Sequence, residues 1–190
     1  MRIEGLVSIS HGQTSDGKII SAKKAIEYGF IKPAKIRPSG WDLSDDEVVL
    51  NYNLSMDNLR QYNAYLFGGR TPAVSYVCSA FGIGTGTSAP NVTDTDLNSP
   101  LLFYKPSSTL LALKPIDSVD YPSPFMARVQ YTISTGDISN PNVAGALITE
   151  IGMYAVDSGS GAGTLLARET STGFPLQSDF GPTLLWRFRF

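Results

Sequence analysis

The chain has 190 residues, of which 42% are hydrophobic and 11% aromatic, which is enough for one buried core and too many for general disorder. Charged residues make up only 17% and the formal net charge is −2, so electrostatics give no reason to expect direct nucleic-acid binding. There is no apolar run of about 18 residues and no basic segment followed by an apolar leader, which predicts neither membrane insertion nor a secretory signal.

The chain has one cysteine, Cys78, and one histidine, His11. A single cysteine excludes a disulfide within the chain and a cysteine metal cluster. With a single histidine as well, most hydrolytic triads and zinc sites are also excluded. We therefore expect no enzyme, no metal and no cofactor, and we predict that Cys78 is a buried structural thiol.

Residues 1–54 read as an irregular N-terminal arm or small subdomain that makes assembly contacts. Its clearest element is a short helix that Ser21 caps and Gly29 ends. The prolines that follow favour an extended chain. Phe30, Ile36 and Trp41 are apolar groups in this irregular stretch. They indicate contact with a neighbouring subunit, or alternatively they cover the domain's own core.

An acidic run at the end of this arm comprises Asp42, Asp45, Asp46 and Glu47. We interpret it as a solvated turn or a helix-start signal.

Residues 55–190 are predicted to form one domain that begins with a helix over residues 55–67. Ser55 is a suitable N-cap, and apolar residues then recur at three- and four-residue steps, which favours core packing.

Beyond this helix the pattern is mainly β. Residues 125–133 alternate with Phe125, Val129 and Tyr131 on the apolar face, which is typical of a half-buried antiparallel strand. Residues 147–154 alternate as well. At 184–190 the aromatic side chains are predicted to face inward, while Arg187 and Arg189 face outward. The resulting fold class is an antiparallel β-sandwich of about six to eight strands with one helix on its N-terminal side.

The glycine-rich stretch at residues 81–97 resembles a nucleotide-binding loop only superficially. A dinucleotide loop needs a helix after its glycines, but here Pro90 and β-branched residues follow. We interpret the stretch as a strand exit and expect Gly84, Gly86 and Pro90 at a subunit contact. Asp94 and the nearby Asp96 have the oxygen ligands for a cation, but a turn in which Asp94 accepts backbone hydrogen bonds is the favoured interpretation.

Two side chains are predicted to form a structural ion pair. Glu150 lies among apolar residues on a strand, and Arg168 is its most plausible partner because a buried carboxylate needs a charged or hydrogen-bonding neighbour.

The β region contains a series of motifs in a fixed order. They are G-T-G-T-S-A-P with D-T-D-L after it, a glutamate-bearing strand, G-T-L-L-A-R, and an amphipathic final strand, at residues 84–90, 94–97, 148–154, 163–168 and 184–190. Their order resembles a small β-sandwich domain of virion structural proteins in tailed bacteriophages, among tail, collar and baseplate components. The resemblance covers roughly residues 58–190, and residues 1–54 match no family pattern.

This resemblance implies a structural subunit of a virion, assembled in the host cytoplasm, that forms a homo-oligomer and contacts other virion proteins. Two alternatives stay open. One is a host-surface or glycan-binding tail-fibre module, in which Trp41, Tyr121 and Phe125 stack on sugar rings. The other is a capsid decoration protein.

Overall fold

The computed structural model describes residues 4–31, 41–55, 78–101, 103–104, 110–111, 113–138, 143, 145–156 and 163–189. This part of the chain is mainly β, with two short helices. Neither helix is long and apolar enough to cross a membrane. The helices are α1 (Ala22–Glu27) and α2 (Thr135–Ile138). The strands are β1 (Glu4–Thr14), β2 (Ile19–Ser21), β3 (Val48–Ser55), β4 (Cys78–Gly84), β5 (Phe103–Tyr104), β6 (Leu110–Leu111), β7 (Lys114–Pro115), β8 (Ser118–Ser123), β9 (Met126–Thr132), β10 (Leu147–Val156), β11 (Gly163–Pro175) and β12 (Phe180–Arg189).

Ten of these strands form one antiparallel sheet that folds over into two packed layers. The first layer has the order β7-β4-β10-β11, and the second has the order β3-β1-β12-β9-β8 with β2 paired to β1. Phe81 of β4 stacks on Tyr131 of β9 with ring centroids 3.6 Å apart, so side chains of the two layers meet in the core. The predicted β-sandwich class is confirmed, with more strands than expected because several are only two or three residues long.

The two layers are joined on one side by a strand that pairs with both layers and on the other side by a direct chain connection. β3 pairs with β1 in the second layer and with β11 in the first. On the other side, β7 pairs with β4 and the chain runs directly into β8, which pairs with β9. A strand that pairs with both layers makes a corner of the sandwich and leaves fewer free edges than two separate sheets would.

The N-terminal part of the chain is not the irregular arm that its sequence predicts. β1 lies between β3 and β12 at the centre of the second layer, and Val7 and Ile9 are fully buried in the core. The described residues of 1–54 therefore belong to the same sandwich as the rest. The sequence signal was weak because glycine and serine flank the apolar residues of β1.

The two predicted helices have different outcomes. α1 forms as predicted, because the Ser21 side chain accepts a hydrogen bond from the Lys24 amide and Gly29 adopts a positive φ of 77° after the last turn. Ser55 is the last residue of β3. The remainder of the predicted helix over residues 55–67 lies outside the described residues.

The predicted strand faces are only partly correct. Val129 and Tyr131 are buried as expected, but Phe125 is 69% exposed. In β10 and β12 nearly every side chain is buried on both faces, including Arg187. Alternation identifies the two faces of a strand, but it does not show that a distant loop covers the outer one.

Candidate functional site

A loop of residues 85–99, here called the glycine loop, covers the outer face of the first layer. It leaves β4 at Gly84 and returns at Pro100, which forms a β-bridge with Gly84. The Thr85 amide donates to the Ser99 carbonyl at 2.9 Å, which closes the neck of the loop. The loop is therefore closed at its base and lies on the surface of the sheet.

Arg168 of β11 holds the glycine loop through charged and polar contacts. Its Nε and Nη2 atoms each lie 2.5 Å from Glu150 Oε1 on the neighbouring strand β10. Its Nη1 atom lies 2.6 Å from Asp94 Oδ2, and its Nη2 atom donates to the Ser88 carbonyl at 3.1 Å. The side chains of Arg168 and Glu150 are both fully buried, so the predicted partners are in direct contact, and both are engaged with the loop.

Glu150 also accepts hydrogen bonds from the loop's own backbone. The Asn98 amide donates to Oε1 at 2.8 Å, and the Ser99 amide donates to Oε2 at 3.2 Å. A buried carboxylate with a guanidinium partner and amide donors has its desolvation offset by several interactions. The arrangement fits the structural role predicted for this pair.

Gly84 and Gly86 lie against this carboxylate. A Cβ atom would lie 2.7 Å from Glu150 Oε2 at Gly84 and 2.5 Å from the same oxygen at Gly86. Thr149 Oγ1 donates to the Gly86 carbonyl at 2.9 Å, which fixes the backbone there. These glycines are therefore needed for a close approach to Glu150 within the chain.

The end of the glycine loop makes a second, apolar contact. Leu97 packs over Gly152, and with Ala80, Tyr154 and Leu165 it forms a small buried cluster. The Tyr154 hydroxyl donates to Asp96 Oδ1 at 2.6 Å. Burial, together with this hydrogen bond to Asp96, raises the pKa of Tyr154 well above its usual range.

Asp94 and Asp96 are engaged in hydrogen bonds and an ion pair. Asp94 accepts from the Asn91 amide at 2.9 Å and pairs with Arg168, as the turn interpretation expects. Asp96 accepts from Tyr154. Among the described residues, no group of three or more His, Cys, Asp or Glu side chains could hold a metal ion.

A second buried arginine holds a second loop, residues 41–47, on the outer face of the second layer. Arg187 Nη2 lies 2.7 Å from Glu47 Oε1, and its Nη1 atom lies 2.9 Å from Ser8 Oγ. Ser8 donates to Glu47 Oε2 at 2.8 Å, and the Ser44 amide donates to Oε1 at 3.2 Å. Arg187 lies on the outer face of β12 as predicted, but it is buried there, and the prediction of a solvated Glu47 is wrong, because each side chain supplies the counter-charge that lets the other be buried.

The remaining predicted contact residues are separate from these two arginine sites. Phe30 stacks on Phe180 at 4.9 Å, which agrees with the alternative that it covers the domain's own core. Trp41 lies beneath the Arg189 guanidinium at 4.5 Å. Pro90 is half-buried, and Ile36 lies outside the described residues. Contact of these residues, or of Gly84 and Gly86, with a neighbouring subunit stays a prediction.

Cys78 lies at the start of β4 and is half-buried. Burial raises the pKa of its thiol to about 12. Few thiolates form at neutral pH under those conditions, so the environment suits a structural thiol and not a nucleophile.

Two exposed aromatic side chains lie on the hairpin formed by β8 and β9. Tyr121 is 76% exposed and Phe125 is 69% exposed, and Val119 beside them is 38% exposed. Asp120 and Arg128 of the same hairpin pair with each other, with Arg128 Nε lying 2.9 Å from Asp120 Oδ1.

The described part of the chain thus includes two outer loops held by buried arginines and a hairpin with exposed aromatic side chains. No protein-family model, curated protein or solved structure matches the chain.

Proposed function

We propose that the protein is a structural subunit of a tailed-phage virion, located in the tail, collar or baseplate, that self-assembles and contacts other virion proteins. The observation that carries this proposal is the convergence of the motifs on which the virion resemblance depends. Gly84 and Gly86 face Glu150, and Asp94 pairs with Arg168. Motifs far apart in sequence thus form one physical unit.

The contacts within this unit favour a structural role over a catalytic one. Glu150 and Glu47 each face an arginine and accept backbone amide hydrogen bonds. The oxygens of such a carboxylate are engaged by donors of the protein itself and not by a ligand. Its effect is to fix a surface loop in one conformation, which suits a subunit that must present the same surface to each neighbour.

The test is to locate the protein in purified phage particles. We expect mass spectrometry of gradient-purified virions to detect it, and cryo-electron microscopy to show density at the neck, tail or baseplate that fits the two-layer sandwich. A protein confined to the infected-cell lysate and absent from particles would refute the proposal. Density on the capsid shell would favour the decoration-protein alternative.

A host-surface or glycan-binding module is the second candidate, and the exposed Tyr121 and Phe125 favour it. Aromatic rings that face water are suitable platforms for sugar rings. This candidate predicts that the isolated protein binds host cells, and that Tyr121→Ser abolishes binding without changing the melting temperature.

A further inference from the structure

We draw no further inference here: the strongest candidate, the exposed apolar side of the β8–β9 hairpin at Val119, Tyr121 and Phe125, carries nothing, because nothing in the structure shows what covers it.

Discussion

Arg168 and Arg187 show how a single buried charge depends on residues that are distant in sequence. Each guanidinium is at most 1% exposed and faces a glutamate that is equally inaccessible or nearly so. Taking such a pair out of water costs several kcal/mol for each ion, and close geometry with additional hydrogen bonds is needed to offset that cost. Removal of one partner should therefore be far more harmful here than at the protein surface.

Glu150→Gln tests this difference. Glutamine keeps the shape of the side chain but leaves the partly exposed Asp94 as the remaining counter-ion of Arg168, so we expect the free energy of unfolding to fall by about 3 kcal/mol. Urea unfolding measures the change. The matched control is Asp120→Asn, which removes the half-exposed partner of Arg128 and should cost at most about 1 kcal/mol. Equal effects of the two substitutions would contradict the structural role of the Glu150–Arg168 pair.

The reactivity of Cys78 tests whether burial raises the pKa of its thiol. Only the thiolate reacts with alkylating reagents, and a pKa raised to about 12 leaves very little thiolate at pH 8. We expect native protein to react with iodoacetamide on the order of a thousand times more slowly than urea-unfolded protein. The rate in the native state should still be rising above pH 10, where an ordinary thiol has levelled off. Rapid native reaction that levels off near pH 9 would contradict the assigned environment.

The backbone at the start of the glycine loop approaches Glu150 closely because Gly84 and Gly86 lack a side chain. Gly86 brings its backbone to a distance from Glu150 that any Cβ would prevent. The carboxylate cannot easily retreat, because Arg168 and two loop amides hold it. The loop backbone therefore packs closely against the ion pair that holds it in place.

Gly86→Ala should consequently loosen the loop. We expect overpacking against Glu150 to lower the free energy of unfolding by roughly 1–3 kcal/mol, and the amides of Asn98 and Ser99 to exchange hydrogen faster. Gly136→Ala is the matched control, because its added Cβ would come no closer than 3.7 Å to Ser134 Oγ. Unchanged stability and unchanged amide exchange for Gly86→Ala would contradict the close approach seen in the structure.

Local sequence information explains which elements were predictable. The Ser21 cap and the alternation of Val129 with Tyr131 each depend on residues within one element. The Glu150–Arg168 pair was predictable because a buried carboxylate needs a charged or hydrogen-bonding partner. The burial of Arg187 depends on Glu47, which is 140 residues away. No periodicity within β12 indicates that a loop from the N-terminal part covers its outer face, so that contact was missed.

At the scale of the whole molecule, the two buried arginines fasten different loops to different layers. The Arg168 contacts lie on the first layer and the Arg187 contacts on the second, and they have no hydrogen-bonding residue in common. Each outer face of the sandwich is therefore covered by a loop, and the two loops are held by separate ion pairs.

This independence predicts additive energetics. The losses in free energy of unfolding for Glu47→Gln and Glu150→Gln should sum, within about 0.5 kcal/mol, to the loss in the double variant. Urea unfolding of the four proteins in the cycle gives the comparison. A coupling of more than about 1 kcal/mol would show that the two outer loops are energetically linked through the core.

The pairing of β1 with β12 also has a consequence for synthesis on the ribosome. Ser8 and Arg187 are 179 residues apart, yet their side chains form a hydrogen bond. β1 can pair with β2 and β3 soon after it is made, but its other edge has to wait for β12. The chain from β1 to β12 must therefore be translated before this sheet can close, and until then the nascent chain carries an apolar strand with one unpaired edge, a state in which chaperones protect proteins from aggregation.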